Sequence, residues 1–215
     1  EYMAALITSV MGNHDKLKLF ISENQRMGLK LLPPDINHSN WEFTTEEGSI
    51  RYGLGAVKGF GEAACQLIQE DRAETGDYYD LYELCERLAP KAVNRAALEL
   101  LARAGALDGL GGHRMQLLAG VPEAFTYAQK RALEKAAGQL SLLGFASEES
   151  GEALVDKPPL PNLPQIPPEE LAQIERELLG VRFSYDPLGN AMVDLEKKTQ
   201  LSLGELAEAK DVDRV

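Results

Sequence analysis

A mainly α fold is what this sequence predicts: helices paired across tight turns, one small β-hairpin, then a flexible Pro-rich acidic linker and a short α/β segment. Three observations predict it. Apolar residues recur at helical spacing through most of the chain. Glycines and prolines punctuate these stretches where helices have to stop or turn. Six prolines crowd between Pro158 and Pro168, inside a stretch from Phe145 to Leu179 with eight acids against two bases. With 215 residues, 44% of them hydrophobic, the chain can bury an ordinary core in one large domain or two small ones. Its net charge of -12 excludes a protein that coats nucleic acid or anionic membrane indiscriminately, so any contact with phosphates has to be local.

In chain order, Met3, Leu6, Ile7 and Val10 give Tyr2 to Met11 a buried helical face that Gly12 ends. Asn13 or Asp15 can cap a second helix, Lys16 to Met27, with Leu19, Phe20 and Met27 expected inward and Gly28 as its stop. Leu29 to Leu32 reads as a short strand halted by Pro33-Pro34. Trp41 to Thr44 and Ser49 to Tyr52, either side of Glu46-Glu47-Gly48, read as a β-hairpin. A short apolar helix around Leu54 to Val57 runs into Lys58-Gly59-Phe60-Gly61, and a helix with Ala64, Leu67 and Ile68 inward follows. After it an acidic connector to Gly76 is expected, then a helix, Tyr79 to Leu88, ended by Pro90. Asn94 can cap the next helix, Arg95 to Ala104, which buries Leu98, Leu101 and Ala102 and stops at Gly105. A short helix around Met115 to Leu118 is expected next. Pro122 suits the first turn of a longer one running to about Ala137 and ended by Gly138. Beyond the prolines, a helix from Glu169 to Leu179 stops at Gly180. Val181 to Tyr185 is expected as a strand, and Leu201 to Glu208 is weakly helical.

The stretch with the most chemistry is Lys58 to Gly61. Two glycines one residue apart let the backbone turn and leave its amides uncovered at the start of a helix, where unpaired N–H groups and the macrodipole favour an anion. This predicts a helix-hairpin-helix whose turn grips a phosphate of nucleic acid. A helical hairpin that needs glycine only to bend tightly is the equal alternative. The pair of helices around Lys91 to Arg95 repeats the arrangement with Pro-Lys-Ala-Val in the turn, so the units are tandem. From Glu86 to Met115 five bases (Arg87, Lys91, Arg95, Arg103, Arg114) face three acids, which makes this stretch the expected electrostatic footprint for phosphates.

Other chemistries find little support. His14, His38 and His113 have no second ligand at metal spacing. There is no phosphate-binding P-loop and no nucleophile elbow. Gly53-x-Gly55 has the wrong spacing and surroundings for a dinucleotide loop. Cys65 and Cys85, without a C-x-x-C pair, read as buried reduced thiols, which fits a cytoplasmic protein. No apolar run approaches a membrane span, and no leader opens the chain. It starts on Glu1 without an initiator methionine, as expected of a piece of a longer protein.

Taken together, the phrases EYMAALITSVM, RMGLKLLPPDIN, IRYGLGAVKGFGEAA and VNRAALELLARAGALDGLG, with ERELLG and DPL later, make almost the whole chain resemble one region of a known family. That family is the replicative family C polymerase, the bacterial DNA polymerase III α subunit. The resemblance implies a span from the end of the fingers (1–37), through a β-hairpin and tandem helix-hairpin-helix region (38–112), a helix and clamp-binding peptide (113–145) and an acidic linker (146–168), to the lead-in of an OB domain (169–215). It implies double-stranded DNA as a partner, with contacts carried onto Lys58, Gly59, Phe60, Gly61, Lys91, Asn94 and Arg95. It also implies the β sliding clamp, met by a Gln-Leu-x-Leu-Phe-type peptide at Gln139, Leu140, Ser141, Leu142 and Leu143, and other replicative subunits met through the parent protein. Leu143 departs from the family's frequent Phe. Phe60 reads as core rather than a base-stacking residue. The catalytic aspartates and Mg2+ of the family lie in a palm domain upstream, so no polymerase chemistry and no cofactor is expected in this stretch. A pure protein-interaction module, and the same region of an error-prone α-like polymerase, are the alternatives.

Overall fold

The computed structural model describes residues 1–91, 93–143 and 157–185; for His14 and for 135–143 it describes the backbone alone. Among these residues there are seven α-helices and a three-stranded sheet. Helices α1 (Tyr2–Thr8) and α2 (His14–Arg26) lead to β1 (Leu31–Leu32), β2 (Thr44–Glu46) and β3 (Ser49–Arg51). In the sheet β3 is central, antiparallel to β2 and parallel to β1. The β2–β3 turn is Glu47-Gly48, both with positive φ (48° and 79°), the geometry that matches the right-handed twist of paired strands. Then come α3 (Glu62–Thr75), α4 (Leu81–Leu88), α5 (Arg95–Ala104), α6 (Arg114–Leu143) and α7 (Pro168–Leu179).

One apolar cluster joins these elements. It runs from Met3 and Ile7 through Ile50, Tyr52 and Leu54 to Leu84, Leu88, Leu98, Leu101, Leu117 and Val121, and includes Leu178 and Leu179 of α7. On α4 Leu81, Tyr82, Leu84, Cys85 and Leu88 are all buried, because the helix packs on α6 as well as on its hairpin partners. Cys65 and Cys85 are free and buried, and burial pushes their thiols up to about 11 and about 12.

Several expectations are corrected. On α2 the inward face is Leu17, Ile21 and Asn24, while Leu19 and Met27 are exposed. A fully buried asparagine holds that face, its side-chain amide donating to the Leu29 carbonyl at 3.1 Å, and its polarity hid the stripe from the apolar pattern. The acidic connector after Ile68 is instead the second half of α3, which ends at Gly76 with φ 89°. Met115–Leu118 and the helix after Pro122 are one 30-residue helix. Leu117, Val121, Ala124, Tyr127 and Ala128 form a buried stripe straight across Pro122, so packing outweighs the hydrogen bond that proline cannot make. Gly138 does not end α6 either; its backbone continues to Leu143.

Near the C-terminal end, 181–185 form no strand. The Phe183 and Ser184 amides donate to the buried Glu175 carboxylate at 2.6 and 2.9 Å, which curls the chain back on α7. The prolines after Lys157 are extended and lie along the helices: Gln116 donates to Pro161, a His113 ring nitrogen lies 2.8 Å from the Leu163 carbonyl, Lys157 pairs with Asp80, and Leu160 packs on the core. The stretch 146–156 and Leu201 to Glu208 lie outside the described residues.

Candidate nucleic-acid interface

The turn at Lys58 to Gly61 follows a single 3-10 turn, Leu54–Ala56, whose seat is set by two close approaches. A Cβ on Gly53 would lie 2.6 Å from the Glu42 carbonyl carbon, and one on Gly55 would lie 2.6 Å from the Trp41 indole. These glycines exist to pack against the loop before β2, which is why they resemble a phosphate loop only in writing. Gly59 is different, since it turns the chain with φ 86° and its missing side chain faces Leu100 of α5. Phe60 is buried and anchors the turn from below, as the sequence suggested.

The amide cradle is narrower than the four residues first named. The Lys58 amide donates to the Leu178 carbonyl of α7 at 2.9 Å, and the Phe60 amide to Val57 at 3.0 Å. Among the described residues no acceptor meets the amides of Gly59, Gly61, Glu62, Ala63 or Ala64. Gly61 is the N-cap of α3 and supplies no side-chain bond to those donors. The first turn of α3 is thus open for an anion, with the exposed Lys58 ammonium beside it and the Glu62 carboxylate as the opposing charge.

The second turn contributes a matching helix end. Asn94 caps α5, its side chain accepting from the Ala97 amide at 2.8 Å, and leaves the Arg95 and Ala96 amides without partners among the described residues. Gly59, Gly61, Ala63 and Ala64 on one side and Asn94, Ala96, Ala97 and Leu100 on the other line a single groove of about 630 Å³. The two turns singled out in the sequence therefore form its two lips. Small side chains keep both helix starts accessible.

Most of the basic footprint is paired internally. Arg87 pairs with Asp71 at 2.7 Å and with Glu83, and its guanidinium lies 4.1 Å from the Tyr78 ring centre. Lys91 sits 3.0 Å from Asp71 and 3.1 Å from Glu74, which holds its ammonium above the ordinary range. Arg114 bridges Asp108 and buried Glu175, and Arg95 pairs with Glu99 four residues on. Of the five bases, only Arg103 pairs with no carboxylate among the described residues. It lines the groove, together with Glu99. Asp71 was missed in the sequence because it looked like one more solvated acid; its three-residue spacing from Ile68 on the buried face of α3 was the available signal.

Gln139 to Leu143 form the last turn of α6. No helix among the described residues is long and apolar enough to cross a membrane, and no group of three or more potential ligands among them could hold a metal ion.

Comparison with known proteins agrees with this geometry. The profile of the Helix-hairpin-helix motif family matches residues 28–117, a span that holds the sheet and both turns. DNA polymerase III subunit alpha of Vibrio cholerae is 35% identical over 211 residues, 98% of this chain. Its counterparts from Xylella fastidiosa and Escherichia coli K12 are 38% identical over 188 residues and 35% identical over 198, covering 87% and 92% of this chain. This chain is homologous to part of the DNA polymerase III α subunit. It spans only 16, 18 and 17% of the length of the Xylella, Vibrio and Escherichia relatives. The matched span is mainly helical here, with the two hairpins at its centre.

Proposed function

We propose that this chain is the part of a DNA-directed DNA polymerase that steadies duplex DNA, and that it carries no catalytic residues of its own. One observation carries the reading: two helix starts, with amides that meet no acceptor among the described residues, line a single groove of small side chains. Such a surface offers hydrogen bonds to phosphate oxygens at fixed points and nothing to a base edge, so it positions DNA without reading sequence. Gly59, Gly61 and the first turn of α3 take one phosphate. The α5 start with Asn94 and Arg95 takes another, and Lys58 and Arg103 add charge. Lys91 acts through the fold, by holding Asp71, more than through direct contact.

A 215-residue chain titrated into labelled duplexes of unrelated sequence tests this. Affinities within a few-fold of one another, falling steeply between low and moderate salt, are expected from counterion release. Strong sequence preference, or no mobility shift at any salt, would favour a protein-interaction module instead.

The polymerase is held to a sliding clamp through Gln139, Leu140, Ser141, Leu142 and Leu143. A glutamine amide with neighbouring leucines suits an apolar groove that has polar groups at its rim. Gly138 inside α6 costs about 1 kcal/mol relative to alanine, which lowers the cost of re-forming this last turn on a partner. Changing Gln139 and Leu142 to alanine is expected to abolish co-elution with the cognate clamp while leaving the helical circular dichroism in place; unchanged co-elution would move the contact elsewhere. Membership of a polymerase assembly also brings other replicative subunits into contact with the parent protein, and a cytoplasmic setting follows.

A further inference from the structure

A second surface stands apart from the hairpins. Between α2 and the end of α7 runs a trough lined by Lys18, Ser22, Gln25, Arg176, Gly180 and Arg182, with a volume of about 500 Å³. It continues past Gln25, Val181 and Arg182 into a second pocket of about 380 Å³ that holds Lys30. Four bases and no carboxylate line these two pockets, in a chain whose net charge is -12. The bases around the hairpins are mostly spent on internal ion pairs, whereas Lys18, Lys30, Arg176 and Arg182 are exposed and pair with no acid among the described residues.

The trough is also built. Lys18 lays its aliphatic stem 3.5 Å from where a Gly180 Cβ would stand, so the glycine that ends α7 with φ 76° fixes where that ammonium emerges. Toward the start of α7 the surface continues into a third pocket that Lys18, Arg176, Arg182 and Tyr185 line together with two carboxylates, Glu169 and Glu177. The Gly180 bend and the loop that follows are themselves held by Glu175, which accepts the Phe183 and Ser184 amides. The macrodipole of α7 favours bases near its C-terminus, which accounts for Lys18 and Arg176. It does not account for Lys30, in the adjoining pocket.

We propose that this trough binds the backbone of a single strand of nucleic acid, with Lys18, Lys30, Arg176 and Arg182 on successive phosphates and Tyr185 under a base. A positive groove that tracks the backbone beside an aromatic face is the usual recipe for sequence-tolerant single-strand binding. The same last turn of α7 touches both surfaces, since the Leu178 carbonyl accepts from the Lys58 amide while Gly180 borders the trough. The choice of nucleic acid over other polyanions rests on the duplex-binding reading above.

Fluorescence anisotropy of a labelled oligothymidylate with the 215-residue chain tests it. Replacing Arg176→Gln together with Arg182→Gln is expected to weaken single-strand binding roughly tenfold or more and to make the slope of log K against log salt shallower by about 1.4. Duplex binding through the hairpins should change little. Arg182→Gln alone, past the end of the helix, gives the same direction where the double variant lowers stability. Lys16→Gln with Lys130→Gln removes equal charge outside the trough, and an equal loss there would show diffuse attraction and overturn the proposal. No wild-type affinity for oligothymidylate, or oligoglutamate competing equally well, would also overturn it, the latter by assigning the trough to an acidic peptide. Single-strand binding without duplex binding would support the trough and sink the duplex reading instead.

Discussion

Gly61 and Gly59 look alike in the sequence and do different work. Gly59 needs its glycine for φ 86°, where a side chain costs about 1–2 kcal/mol. Gly61 has φ -95° and ψ 141°, an ordinary extended conformation, and a Cβ there would meet nothing within 4 Å. Any residue fits the backbone at 61, so what glycine supplies there is a bare helix start. Gly61→Asp should then separate stability from binding. As an N-cap it satisfies an orphan amide and stabilises α3 by a few tenths of a kcal/mol. It also places a carboxylate where a phosphate would lie, so thermal denaturation should hold or rise slightly while duplex affinity falls at least about tenfold. Loss of both would mean that the glycine is structural. The cysteines give a simpler residue-scale test. Both thiols are buried and pushed well above neutral pH, so a thiol reagent at pH 7.5 should label neither in the folded chain and both after denaturation.

At the scale of elements, the joint between α3 and α4 depends on one buried carboxylate. Burial raises the Asp71 carboxyl, but hydrogen bonds from Lys91, Tyr78 and Arg87 and the Arg87 charge outweigh this and hold it below its ordinary 3.8. A carboxyl depressed in the fold contributes stability that is complete above 3.8 and is lost as pH falls through its lower folded value. Unfolding free energies from urea titrations of the wild type and Asp71→Asn should differ most near pH 7, by about 3 kcal/mol since Arg87 and Lys91 lose their shared partner, and converge as pH falls below 3.8 and through the lowered folded value. A difference that is flat with pH would place the effect in packing. This joint also explains what was and was not legible. Helix starts and stops at Asn13, Asn94, Gly105 and Gly180 were readable because caps are local chemistry. The second half of α3, the inward face of α2 and the passage of α6 through Pro122 were not, because each is decided by what packs on it. The two hairpin turns could be found one at a time from glycine spacing and capping. That they share a groove, and that Leu178 occupies the Lys58 amide, is tertiary information.

On the scale of the whole molecule, the proline-rich stretch and α7 complete the hairpin domain. Tyr52 lies in the core and its hydroxyl donates to the Leu179 carbonyl at 2.8 Å, with the Ala56 carbonyl 3.2 Å away as the alternative acceptor, linking the strand end, the 3-10 turn and the end of α7. The ring also meets Phe43 and Phe183 edge-on, at centroid distances of 4.9 and 5.9 Å. The Lys58 amide and the Arg114–Glu175 pair at 3.0 Å add polar ties to the same helix. Leu178 and Leu179 are buried in the common core, so removing them should cost about 2–5 kcal/mol each for leucine-to-alanine changes. A chain shortened to residue 156 would lose all of these at once. It would expose the Tyr52 hydroxyl's side of the core, free the Lys58 amide and strand Arg114 with Asp108 alone. If α7 sets the geometry of the turn, the shortened chain should unfold at markedly lower urea and bind duplex DNA more weakly, even though every hairpin residue is present. Leu179→Ala in the full chain should shift both in the same direction by less. Unchanged affinity in a destabilised but folded short chain would show that the hairpins hold their own shape, leaving α7 to stabilise the core and to carry the basic trough.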